Sequence, residues 1–132
     1  MADGLILETT FLVDLERELL AGTEGPAQRF LADHATEPLF LTFTVAGELA
    51  AGLGPDGRGR WERFVEPFTV LDSSPDVCWA YGSAYRFLRS NGLLIGANDL
   101  WIAATAVAYG KAVVTRNTGE FQRVPGLEVV GY

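Results

Sequence analysis

Lysine is almost missing from this 132-residue chain: Lys111 is the only one, against nine arginines. Cysteine and histidine occur once each, as Cys78 and His34. A single cysteine excludes an internal disulfide framework and a cysteine-rich zinc site, and fits a reduced, cytoplasmic setting. With no histidine near it in sequence, Cys78 reads as a small packing residue beside the inward stripe of its helix, not as a nucleophile. His34, alone, reads as a surface or internally satisfied helical residue, not a catalytic base. No run approaches the ~20 apolar residues that span a bilayer, so no membrane segment is expected. The opening Met1-Ala2-Asp3 is acidic, where a secretory leader is basic.

Positive charge is also short. Ten basic residues face 17 acidic ones, a net charge of −7, which excludes gripping nucleic acid through a diffuse positive field. Arginine, however, contacts phosphate through a planar two-pronged fork, so a few placed side chains can do what a lysine cloud does. Surplus carboxylate is expected where several acids converge on a divalent cation.

What is present is apolar content of 48%, enough for one core and one domain over residues 1–132. Leu5-Ile6-Leu7 reads as a buried strand running into a helix that carries Leu12, Leu15, Leu19 and Leu20 and stops near Gly22. A second helix opens after Pro26, with Phe30 and Leu31 inward. Leu39–Phe43 reads as the second strand, and Thr44 as the N-cap of a helix through Glu48. Residues 52–57 are loop by composition, and no Gly-Lys-Ser/Thr follows to make them a phosphate cradle. Trp61, Phe64 and Val65 suggest a short helix, and Phe68–Leu71 a third strand ending at Asp72. Ser74-Pro75-Asp76 opens a helix with Val77, Ala80, Tyr81, Ala84, Tyr85 and Leu88 inward, and Asn98-Asp99 opens another, reaching Gly110. Residues 112–114 and 127–130 complete the strands, and Trp61, Trp79 and Trp101 read as core or interface aromatics. Strands alternating with helices in this way predict an α/β fold: a mostly parallel central sheet with helices on both faces.

Ligands of such sheets bind at the carboxyl ends of the strands, near a switch in strand order. The polar residues just after strands, or in the first turns of the following helices, are Glu8, Glu48, Asp99 and the run Thr115-Arg116-Asn117. Each has an ordinary use by itself: a helix-start acid, an exposed glutamate, a turn asparagine. Glu8 stands out because it interrupts the apolar run Leu-Ile-Leu-Glu-Thr-Thr-Phe-Leu-Val.

Taken together, these segments resemble the PIN-domain family, and within it the VapC-type toxin ribonucleases. Leu7-Glu8-Thr9-Thr10-Phe11-Leu12-Val13-Asp14 is similar to the family's opening motif, and Thr44-Val45-Ala46-Gly47-Glu48-Leu49 to its second. Residues 95–106, Ile-Gly-Ala-Asn-Asp-Leu-Trp-Ile-Ala-Ala-Thr-Ala, are close to the third, and Val114–Phe121 to the fourth. The last two are the more specific, and the four span nearly the whole chain in the family's order.

The resemblance implies a single PIN-like domain acting as an endoribonuclease dependent on Mg²⁺ or Mn²⁺. It also implies a homodimer, paired with a small antitoxin that blocks the site. It makes Glu8 and Asp99 the main metal ligands, gives Glu48 a ligand water or second metal, and has Asn117 orient water or phosphate. Glu120 becomes a candidate fourth carboxylate, and Thr9 and Thr115 supporting hydrogen-bond donors. Arg86, Arg89 and Arg116 are the candidate contacts to RNA phosphate. The chain departs from the family at Glu8, where aspartate is usual, so a catalytically impaired metal-, RNA- or partner-binding module is the alternative reading. A response-receiver-like domain fits less well: Glu8-Thr9 is no acid pair, and Lys111 precedes its strand.

Overall fold

The computed structural model describes residues 3–132, so Met1 and Ala2, quoted above for the character of the N-terminus, lie outside the described residues. Five strands, β1 (Leu5–Leu7), β2 (Leu39–Thr42), β3 (Thr69–Leu71), β4 (Ala112–Val114) and β5 (Val129–Val130), form one sheet in the order β3-β2-β1-β4-β5. Every neighbouring pair is parallel. All three residues of β1 and of β4 are buried. Successive strand side chains point to opposite faces, so both faces of the sheet centre are covered. Crossovers between parallel strands are almost always right-handed, which puts the β1-to-β3 connections on one face and the β3-to-β5 connections on the other.

The helices start and stop where local chemistry allows. α1 (Thr9–Ala21) ends on Gly22, whose φ of 69° is the left-handed conformation glycine adopts freely. α2 (Pro26–Asp33) has proline at its first position, where no N–H is needed. α3 (Phe43–Ala51) starts directly after β2. Its cap is Thr42, fully buried, whose Oγ1 accepts from the Val45 amide at 3.1 Å; Thr44, the residue the sequence pointed to, already lies inside the helix. α4 (Arg58–Val65) follows the glycine-rich loop, and α5 (Pro75–Ser90) is capped by the Ser74 hydroxyl. α6 (Ala97–Tyr109) closes at Gly110, and a one-turn α7 (Thr118–Phe121), which hydrophobic periodicity does not show, follows β4.

The core holds Ile6, Leu7, Phe11, Leu12, Leu41, Val113 and Phe121 against Leu88, Leu100 and Ile102. α5 presents its expected face inward except at one residue, Tyr85. Val77, Ala84 and Leu88 are buried, but Tyr85 is outward, Cys78 is exposed and Trp79 is 71% exposed. Only one stripe of α5 meets the protein, because it packs on one side alone, chiefly against α6, where Tyr81 stacks on Trp101. His34 is a satisfied helical residue, its Nδ1 2.8 Å from the Phe30 carbonyl and its ring stacked on Phe30. Among the described residues no helix is long and apolar enough to cross a membrane.

Candidate active site

The chain leaves β1 toward β2 and β3 on one side and returns to β4 on the other, so the order switches between β1 and β4. A crevice at the carboxyl end of that pair is the site such a sheet offers. Glu8 follows β1 there, and Thr115-Arg116-Asn117 follow β4; the Glu8 amide donates to the Val114 carbonyl at 3.0 Å. α3 brings Glu48 from the neighbouring strand, the first turn of α6 brings Asp99, and α7 brings Glu120.

Glu8 is 3% exposed, and one of its oxygens is heavily used. Oε2 accepts from the Thr10 amide at 2.7 Å, the Thr10 hydroxyl at 2.6 Å and the Thr115 hydroxyl at 3.2 Å. The first of these makes Glu8 the N-cap of α1, satisfying a backbone donor that would otherwise lack a partner. Oε1 accepts no hydrogen bond from the described residues, so the side chain presents one anchored oxygen and one free one. Thr115 is itself fixed, since its Oγ1 accepts from the Asn117 amide at 2.9 Å. Thr9 turns the other way along α1 and donates to Glu48 Oε1 at 2.7 Å, tying the second glutamate to the first helix.

Electrostatics show which acids act on Asp99. Asp99 is pushed up from 3.8 to about 6, first by burial and then by the negative charges of Glu8, Glu120 and Glu48. An acid in a first helical turn ordinarily gains from the helix dipole; here three carboxylates and partial dehydration outweigh that gain. Glu120 is thus one of the three charges felt at Asp99. Asn117 begins α7 with its side chain exposed.

The donor set is oxygen only, which suits a hard divalent cation and not zinc. Among the described residues no three or more His, Cys, Asp or Glu side chains come together as a group that could hold a metal ion. Mg²⁺ asks for less than such a group, since it keeps several waters and takes one or two carboxylates directly. Glu8, whose Oε1 accepts no hydrogen bond from the described residues, and Asp99 are the two acids that could serve.

Of the three candidate arginines, Arg116 joins this edge: its amide donates to the Thr10 hydroxyl at 3.1 Å. Arg86 is engaged within α5, 5.3 Å over the Trp79 ring and 3.3 Å from the Ser83 hydroxyl, and Arg89 sits in the last turn of the same helix. Three residues not singled out from sequence belong to the network: Thr10, Asp14 and Tyr132. Thr10 carries a signal in hindsight, a hydroxyl two residues past an acid at a helix start. Tyr132 carries none. Beside the carboxylates, a largely apolar cavity of about 210 Å³ lies between α1, α3 and α4, lined by Thr9, Val13, Glu48, Leu49, Trp61 and Phe64 among others.

Comparison with known proteins meets this geometry. A family model described as the PIN domain matches residues 5–127. A protein named Ribonuclease VapC from Rickettsia bellii is 31% identical, over 96% of this chain and 95% of its own. Ribonuclease VapC1 from Haemophilus influenzae is 37% identical over 68% of this chain and 71% of its own. Among solved structures, VapBC2 from Rickettsia felis bound to a promoter DNA fragment superposes with a TM-score of 0.82 at 25% identity, covering 97% of this chain and 98% of that one. VapBC-1 from nontypeable Haemophilus influenzae gives 0.80 at 26%, covering 96% of each.

Proposed function

This chain belongs to the PIN-domain family, and from that premise we propose that it is an endoribonuclease, hydrolysing RNA phosphodiester bonds with Mg²⁺ or Mn²⁺ as the toxin of a toxin–antitoxin pair. The observation that carries this reading is the action of three carboxylates from distant parts of the chain, Glu8, Glu120 and Glu48, on a fourth, the half-buried Asp99. So costly a concentration of like charge at a switch point is what a cation site requires. Its relatives' names, Ribonuclease VapC and VapC1, agree.

Glu8 and Asp99 would hold the cation, with Glu48 and Glu120 reaching its outer waters. When bound, the cation lowers the proton affinity of a nearby water and offsets the charge that builds on phosphorus. The chain's own contribution is positioning. Thr10 and Thr115 fix one oxygen of Glu8 so that the other faces the crevice. Thr9 holds Glu48 in one rotamer. The Asn117 side chain, at the exposed start of α7, would orient phosphate or water.

A fluorescent RNA cleavage assay across metals tests this. Cleavage is expected with Mg²⁺ or Mn²⁺, lost in excess EDTA, and abolished by Asp99→Asn in a protein that keeps its fold. Undiminished cleavage in EDTA or in that variant would overturn the assignment. One observation favours the impaired-module alternative: three donors already occupy Glu8 Oε2, so the longer acid has spent half its oxygen on structure. Metal binding without cleavage of any RNA would decide for it.

The partners follow. Glu48 lines the apolar cavity, so a segment of a small antitoxin lying in it would cover that carboxylate; the solved relatives are VapBC complexes. The outward apolar face of α5 and α6, with Trp79, Phe87 and Val107, supports a homodimer. A sedimentation measurement returning only monomer would remove that part. The lone cysteine fits action in the cytoplasm.

A further inference from the structure

A second network lies beside the carboxylate pocket, on the same face of α1. Asp14 is one helical turn beyond Thr10, and its side chain is only 14% exposed. Arg116 Nη1 reaches both of its oxygens, at 2.8 and 2.9 Å. The Tyr132 hydroxyl donates to Asp14 Oδ2 at 2.5 Å, and Arg17 reaches Oδ1 at 3.3 Å. The Tyr132 ring is itself held, edge-on to the fully buried Phe11 with centroids 4.8 Å apart.

We propose that Asp14, braced by Tyr132, is a positioning residue that holds the Arg116 guanidinium at the rim of the carboxylate pocket as a contact for RNA phosphate. This rests on the ribonuclease reading and adds to it the device that places the cationic arm.

Three features carry the inference. First, Arg116 is tied at both ends: its amide to Thr10, which also holds Glu8, and its guanidinium to Asp14. A long arginine side chain ordinarily loses much rotamer freedom on meeting a ligand, and here that freedom is already removed. Second, Asp14 engages only Nη1, so the Nε and Nη2 donors stay available on a side chain 57% exposed. Third, one aspartate faces two arginines, Arg116 and Arg17, which leaves a local positive balance next to four acids in a chain of net charge −7. An RNA backbone approaching so acidic a crevice needs such a foothold. Burial and the Asp14 carboxylate both raise Tyr132, so its hydroxyl stays a donor at working pH.

The test measures cleavage kinetics, and binding of a short fluorescein-labelled single-stranded RNA as a function of salt, for wild type, Arg116→Gln, Asp14→Asn, Tyr132→Phe and the double variant Asp14→Asn/Arg116→Gln. Loss of one exposed phosphate contact is expected to raise KM about 3- to 5-fold in Arg116→Gln and to lower the salt slope by ~0.7. Asp14→Asn should raise KM about 2- to 3-fold with kcat nearly unchanged, since it loosens the arm without removing its charge. Tyr132→Phe should move KM the same way by less. In the Arg116→Gln background the effect of Asp14→Asn should vanish, which a general loosening of the fold would not produce. An unmoved KM in Asp14→Asn, or an undiminished effect of it in the double variant, overturns the positioning role alone. A wild-type protein that neither binds nor cleaves RNA overturns the ribonuclease reading and this inference with it.

Discussion

Replacing Asp99 by asparagine should stabilise the metal-free protein while destroying its activity, and the gain should depend on pH in a way that identifies its cause. Raising a carboxyl from 3.8 to about 6 corresponds to about 3 kcal/mol at full strength, at about 1.4 kcal/mol per tenfold change in proton affinity. Asp99 is only partly buried, so solvent screening reduces that figure, and loss of a favourable helix-start charge subtracts up to about 1 kcal/mol. A net gain of about 1–2 kcal/mol remains, or several degrees of Tm for a chain of this length. The sign follows from proton binding. Folded Asp99 holds its proton more tightly than the unfolded residue does, so wild-type stability falls as pH rises from 3.8 through 6, and the full penalty stands above 6. Thermal unfolding of both proteins in EDTA, at steps from pH 8 down to 4, should show a gain that is complete at pH 8, shrinks through pH 6 and is absent near pH 4. Adding Mg²⁺ should reverse the order above pH 6 by stabilising wild type alone; a cation at 100 times its Kd contributes about 2.7 kcal/mol. A gain that is absent at pH 8, or that persists unchanged at pH 4, would refute electrostatic repulsion as its source.

Thr115→Val keeps the side-chain volume and removes the hydroxyl that bonds both Glu8 and the Asn117 amide. A cost of about 1–3 kcal/mol in urea unfolding is expected, together with slower cleavage; unaltered rates would mean that Glu8 needs no second anchor. Glu8→Asp withdraws the carboxylate by about 1.5 Å. Aspartate caps helices well, so stability should change by less than about 1 kcal/mol, while the ratio of Mg²⁺- to Mn²⁺-supported rates should shift. Equal rates with both cations before and after would remove Glu8 from the metal site.

Where local chemistry sufficed, the structure is legible in the chain. The runs Leu5–Leu7 and Ala112–Val114 are apolar on both faces because their strands are buried on both, and only a central parallel strand asks for that. Ser74 before Pro75, Pro26, and glycines at 22 and 110 marked helix ends through effects that act within a few residues. Glu8 could be nominated from its place directly after β1, and Glu48 and Asp99 from the motifs in which they stand. Thr44 failed as a cap because a strand's last residue, set by its pairing with Leu71 of β3, decides where the next helix starts. Tyr85 failed as an inward residue, and Cys78 as a packing one, because helical spacing gives a face but not which neighbours cover it.

The sequence by itself therefore determined most of the elements and their α/β alternation, and nominated the acids, since each depends on short-range propensity, burial pattern or a motif read in order. The tertiary structure decided everything that needs two distant residues to meet. It set the strand order that places β1 beside β4, and with it the contact of Thr115 with Glu8 across 107 positions. It brought Glu120 close enough to raise Asp99, and Tyr132 and Arg116 onto Asp14, across 118 and 102 positions. Charge repulsion and hydrogen bonding fall off over a few ångströms, so such couplings exist only once the fold has set the distance.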